Sequence, residues 1–170
     1  MRFRLLTLVA CAALAAPSLA AEKRQLPSFS LVSARGLETP ARDFTATGHR
    51  LWVVVSPADT LSKRLLDAFK GWPAAEWRSG TVFVIQGTPE DAREWIQNTF
   101  AADAEQIQWA SDEKRATARS LKLTGTPVLL ALDATTIEWK VSGVLSDPQT
   151  LRSMVAAWLR DPGQKAPAKL

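Results

Sequence analysis

Leu51-Trp52-Val53-Val54-Val55-Ser56-Pro57-Ala58-Asp59-Thr60-Leu61-Ser62-Lys63-Arg64-Leu65-Leu66 is the stretch that decides the fold. Its first five residues are apolar without a break and mostly β-branched, the pattern of a central strand buried on both faces. Pro57 removes a backbone donor and ends the run. Leu61, Leu65, Leu66 and Phe69 are then spaced to form one apolar helical face. Gly71 and Pro73 stop that helix. A buried strand running through a turn into an amphipathic helix predicts the first half of a parallel βαβ unit.

Downstream, Thr81-Val82-Phe83-Val84-Ile85 supplies the second buried strand. A marked helix start follows. Thr88 caps, Pro89 suits the first helical position, and Glu90 and Asp91 favour the positive end of the helix dipole. Ala92, Trp95, Ile96, Thr99 and Phe100 form its inner face. Ile107-Gln108-Trp109 reads as a short strand, and Ser111 as the cap of a helix ending near Leu121. Thr126 to Leu132 and Ile137 to Val141 read as an antiparallel hairpin turned at Asp133 to Thr136. In the second of these strands Ile137, Trp139 and Val141 are expected on one side, with Glu138 and Lys140 on the other. Asp147 and Pro148 open a last helix, whose buried stripe is Leu151, Met154, Val155, Trp158 and Leu159. The expected class is α/β, with a mixed sheet of about four strands flanked by helices.

Upstream, Arg2 and Arg4 precede an apolar run from Leu5 to Ala16 that is too short to span a bilayer. With Ser18-Leu19-Ala20 after it, residues 1–20 read as a cleavable signal peptide, which places the mature protein in the periplasm. Leu8-Val9-Ala10-Cys11 also matches the pattern before a lipidated cysteine. The very short apolar run ahead of Cys11 favours the discarded-peptide reading over a lipoprotein. Residues 21–48 are an N-terminal extension in which Phe29-Ser30-Leu31-Val32 reads as a candidate short strand, 49–160 the folded domain, and 161–170 a flexible tail.

Two motifs carry a resemblance to a known family. Leu123-Thr124-Gly125-Thr126-Pro127-Val128 looks like the segment in which thioredoxin-like proteins hold a cis-proline facing the active site, and it stands between a helix and the closing hairpin. Val55 to Leu65 resembles the strand-to-helix turn of the periplasmic disulfide isomerases of the Dsb type, where an Asp-Pro pair leads into Cys-x-x-Cys. The resemblance spans roughly Arg50 to Leu159 and implies a thioredoxin-like three-layer sandwich. On that pattern Asp59-Thr60-Leu61-Ser62 occupies the active-site positions, Asp59 replacing the first cysteine and Ser62 the second. Thr126 and Pro127 are the implied peptide-binding residues, because the redox relatives hold an extended substrate there by backbone hydrogen bonds. Residues 21–48 are too short for the dimerisation domain of the Dsb isomerases, so the dimer is not carried over.

The chemistry of the family is not carried over either. A cysteine at that helix start is ionised by the dipole. A carboxylate profits from the same field and caps the helix, but neither Asp59 nor Ser62 forms a disulfide. The chain has one cysteine, Cys11, so the mature protein has no thiol. Asp59 and Ser62 as a remodelled hydrolytic site would need a base. The only histidine, His49, precedes the central strand, at its far end, and reads as a loop residue. A helix cap and a solvated serine are the preferred reading, with no catalytic residue.

One histidine and no mature cysteine leave no metal site and imply no cofactor. Acidic pairs at Glu90-Asp91 and Asp112-Glu113 are explained by helix starts. Without Arg2 and Arg4 the 21 basic residues become 19 against 17 acidic, a net of +2, too balanced for nucleic acid or an anionic membrane surface. Trp52, Trp95, Trp139 and Trp158 fall on buried faces. Trp72 and Trp77 divide between an exposed interface patch and a satellite core.

The expected function is an exported, redox-inactive protein-binding or assembly module of the bacterial envelope, with a protein or peptide partner. Cysteine-free thioredoxin-like proteins occur in conjugation and type IV secretion systems. Ser56 to Phe69 and Val82 to Gly87 look loosely like the F-type pilin-assembly proteins. The alternatives are a chaperone-like peptide binder, and a non-redox enzyme using Asp59 or Ser62.

Overall fold

A computed structural model describes residues 20–45, 48–143 and 147–160, with side chains from Lys23 onward. Ala20 apart, the signal peptide, Cys11 included, lies outside the described residues, as does the expected tail 161–170. Eight strands form one mixed sheet in place of the four expected. They are β1 (Ala20–Gln25), β2 (Ser30–Ser33), β3 (Glu38–Pro40), β4 (His49–Val55), β5 (Thr81–Ile85), β6 (Gln108–Ser111), β7 (Val128–Asp133) and β8 (Thr136–Ser142), in the order β1-β8-β7-β4-β5-β6-β2-β3. The undercount has a physical cause. β1 and β3 lie at the sheet margins and are short or polar, so they lack the continuous apolar run that a doubly covered strand needs, while β2 falls on the short strand read at Phe29 to Val32. The extension is thus built into the sheet at both margins.

β4 is central, parallel to β5 and antiparallel to β7, and β5 is parallel to β6. Helices α1 (Thr60–Gly71) and α2 (Pro89–Phe100) make the two crossovers. α3 (Ala116–Leu121) follows β6, and α4 (Pro148–Leu159) follows the β7–β8 hairpin.

The pleat of β4 sorts the core into two layers. Leu51, Val53 and Val55 meet Leu65, Leu66 and Phe69 of α1, Ile96 of α2 and Leu151 and Val155 of α4. Trp52 and Val54 face the other way, with Leu31, Phe44 and Leu121. From Leu51 to Val55 both β4 faces are fully buried, as that unbroken apolar run requires.

Four side chains depart from the expected faces. Leu61 is 41% exposed in the first turn of α1, off the buried stripe of Leu65, Leu66 and Phe69. Ile137 packs in the opposite layer from Trp139 and Val141, because a bulge opposite Ala131 and Leu132 breaks the alternation of β8. His49 is the first residue of β4, not a loop residue. It stacks on Trp158 at 4.0 Å, and its Nδ1 lies 2.8 Å from the Trp158 carbonyl. Ser111 ends β6 and donates to the Gly87 carbonyl, while α3 has Arg115 at its N-cap position and is capped from further back by the Asp112 carboxylate, which accepts from Ala116 and Thr117 N–H.

Trp72 and Trp77 are 9% and 3% exposed and belong to the main core, so they form no exposed patch. Phe69 lies between them, 4.6 Å from Trp72 and 5.3 Å from Trp77, and Phe83 closes the cluster. The Trp72-Pro73 turn folds the chain back under α1, which sequence spacing alone did not show.

Candidate functional site

The site is built where β4 ends and α1 begins. Pro57 stops β4, the chain turns, and Asp59 caps α1 with extended backbone. Thr88 and Asp147 cap α2 and α4 by the same mechanism, both as expected. Asp59 differs in the number of its partners. Its Oδ1 accepts from Leu61 N–H at 3.1 Å. Its Oδ2 accepts from Ser62 N–H at 3.1 Å, from Ser62 Oγ at 2.7 Å and from Thr126 Oγ1 at 3.0 Å.

The carboxylate therefore holds two segments 67 positions apart in the chain. Burial pushes the Asp59 carboxyl up, but the bonds from the Ser62 hydroxyl, Leu61 N–H, the Thr126 hydroxyl and Ser62 N–H outweigh it, so its pKa lies below the ordinary carboxylate value.

Ser62 is fully buried, not solvated. Its hydroxyl accepts from Ser56 N–H at 3.1 Å while donating to Asp59. It thus connects the end of β4 to the cap, satisfying a main-chain donor that Pro57 and the turn leave without a sheet partner.

The Thr126–Pro127 bond is cis. Pro127 is buried and its carbonyl accepts from Gly143 N–H at 2.8 Å. Thr126 is half-buried. Its hydroxyl is anchored on Asp59, yet among the described residues nothing bonds its main-chain N–H or carbonyl. The structure thus brings Asp59, Leu61, Ser62 and Thr126 into one constellation. Thr60 opens α1 exposed, and among the described residues its side chain makes no hydrogen bond to it. Trp72 and Trp77 sit in the core instead.

His49 lies at the opposite end of β4, about 20 Å of strand away. Among the described residues no group of three or more His, Cys, Asp or Glu is placed to hold a metal ion. No described helix is long and apolar enough to cross a membrane.

Sequence reasoning missed the Thr126 hydroxyl as a partner of Asp59. The only signal for it was a hydroxyl residue directly before the proline.

Central βαβ units, a closing hairpin and a helix-capping residue opposite a cis-proline define a thioredoxin-like fold, related in structure to disulfide-exchange and peroxiredoxin-like proteins. A Chlorobium tepidum protein described as the thiol:disulfide interchange protein DsbE matches with a TM-score of 0.64 and 19% identity, over 84% of this chain and 99% of that one. A thio-disulfide isomerase from Thermus thermophilus matches with 0.57 and 17%, over 82% and 97%. A peroxiredoxin-like protein from Aquifex aeolicus matches with 0.58 and 9%, over 84% and 92%. Likeness at these identities establishes the fold alone. No family model and no curated protein matches the chain. At the turn that resembles a Cys-x-x-Cys site, this chain has a carboxylate, Asp59, and a hydroxyl, Ser62, and its single cysteine is Cys11.

Proposed function

We propose that the chain is an exported, redox-inactive protein-binding module of the bacterial envelope, which holds an extended segment of a partner at Thr126 and Pro127. The observation that carries this reading is the state of Thr126. Its side chain is fixed on Asp59, while its main-chain donor and acceptor are left open, and the same carboxylate holds the N–H of an exposed leucine, Leu61. A fixed main chain with open polar groups is what strand addition uses for affinity, and a nearby apolar side chain supplies contact area.

Asp59 and Ser62 serve this surface as structure. A carboxylate with four donors and a lowered pKa is a weak base, and a fully buried hydroxyl is out of reach of a substrate. These facts favour binding over a non-redox enzyme. The partner class is an envelope assembly component, such as a conjugation or type IV secretion subunit.

Site-specific photo-crosslinking in the periplasm tests the reading. A photoreactive residue in place of Leu61 should capture a discrete partner. The same residue in place of Leu37, exposed but on the distant β2–β3 turn, should not. Identical products at both positions, or none from position 61, would remove the proposal. Insulin reduction by the purified protein should stay at the rate without protein.

A further inference from the structure

A second concavity opens beside the Asp59 turn, on the side away from Thr126. It is an open cleft of about 470 Å³ outside the C-terminal ends of β4 and β5, in the range of small-ligand sites. The ends of parallel strands are where open α/β sheets present ligand sites. Its floor is Ser56, Gln86 and Gly87. One wall is the turn at Pro57 and Ala58 with Lys63 of α1.

The facing wall is a single stripe of α2, Asp91, Glu94, Trp95 and Asn98, at helical spacings of three and four. This stripe is only partly explained by packing. Trp95 touches the core while remaining half-exposed, and the other three side chains are exposed.

Arg115 closes the cleft from the end of the β6–α3 loop. It is held with φ of 50°, a left-handed conformation uncommon outside glycine and asparagine. Two cations and two carboxylates therefore surround one cleft. Among the described residues none of Lys63, Asp91, Glu94 or Arg115 forms an ion pair. Opposite charges arranged around a cavity but not joined to each other are complementary to a ligand that carries both signs. The Trp95 ring adds a face for a cationic group.

We propose that this cleft is the specificity pocket for the partner segment and takes a basic side chain together with a nearby carboxylate. The basic group lies against Asp91, Glu94 and Trp95, and the carboxylate between Lys63 and Arg115. The inference rests on the reading of Thr126 as a peptide platform. The turn at Pro57 to Asp59 connects the two, since Pro57 and Ala58 line the cleft and Asp59 bonds Thr126.

Amide shifts of the isotope-labelled protein test it with four end-blocked hexapeptides in an Ala/Ser background. One carries an adjacent Lys and Glu, one Lys alone, one Glu alone and one neither. Gln86 and Gly87 report the cleft, and Thr126 and Val128 the platform. The mixed-charge peptide should move both sets. It should bind about threefold to tenfold more tightly than the uncharged one, the size expected of two solvent-exposed ion pairs.

Glu94→Gln with Lys63→Gln, both exposed positions, should erase that preference while leaving the spectrum folded. Cleft amides that stay still, or a preference that survives the double variant, overturn the pocket however the platform behaves. Platform amides that stay still with every peptide count against the platform reading itself.

Discussion

Replacing Asp59 with alanine removes four hydrogen bonds at once, and the structure allows the cost to be worked out. Loss of an N-cap side chain costs about 1 kcal/mol, within a range of roughly 0.5–2. The Ser62 hydroxyl is fully buried and would lose the acceptor it donates to at 2.7 Å. A buried donor left unsatisfied costs about 1–3 kcal/mol. The Thr126 hydroxyl is half-buried and recovers water, so it adds little. The total is about 2–4 kcal/mol, taken towards the lower end because Asp59 itself is half-exposed.

Asp59→Asn keeps a capping oxygen and should cost about 1 kcal/mol or less. The pH dependence separates charge from shape. Asp59 has a folded pKa below its unfolded value of about 3.9, so its contribution is fully present above that unfolded value. It is lost as the pH falls through the folded one. Urea unfolding followed by circular dichroism at pH 7 and at pH 3 should show the wild type and Asp59→Asn converging in acid. A cost below about 0.5 kcal/mol for Asp59→Ala at pH 7 would refute the account of Asp59 as the keystone of the site. A gap to Asp59→Asn that does not narrow in acid would refute the part assigned to its charge.

Further substitutions test other parts of the argument. Asp59→Cys with Ser62→Cys puts thiols three positions apart at a helix start, where the Cα separation suits a disulfide. The double variant should form one and reduce insulin, and the thiol at position 59 should be alkylated at a lower pH than a free cysteine; failure to form the bond would show that this turn is not the counterpart of a Cys-x-x-Cys site. Trp77→Ala should cost about 3–5 kcal/mol and leave the sedimentation coefficient of the folded protein unchanged. A change of oligomeric state without loss of stability would restore the interface reading of Trp72 and Trp77. Asp112→Ala should destabilise more than Asp147→Ala, because the Asp112 cap is buried and the Asp147 cap is exposed; equal unfolding midpoints would contradict this.

What was legible in the sequence follows the strength of the burial signal. β4 and β5 are buried on both faces and lie in the middle of the sheet, so their apolar runs were readable without context. β1, β2 and β3 owe their conformation to strand partners about 77 to 120 residues distant or to each other, and no local pattern encodes that pairing. Leu61 was misplaced for a related reason. Helical spacing fits it to the stripe of Leu65 and Phe69, but in the first turn of α1 the sheet no longer covers that face. Trp72 and Trp77 follow a helix stop, where the sequence leaves an exposed interface patch and a satellite core both open. The core instead reaches around Phe69 to meet them.

The candidate site was legible as a position and not as a mechanism. The resemblance to the Dsb-type turn placed Asp59 and Ser62 at the helix start and implied Thr126-Pro127 opposite. It gave no account of why aspartate and serine stand there. The hydrogen bonds supply one. Ser62 has to satisfy Ser56 N–H within a fully buried turn, which alanine does not do. Asp59 has to cap α1 and also reach Thr126, which requires two acceptor oxygens on a short side chain. A glycine or alanine at position 59 would leave the Thr126 hydroxyl unanchored and the platform free to move. The residues that replace the reacting thiols therefore fix the geometry of the adjacent main chain, and this makes recognition without redox chemistry a physically coherent use of the site.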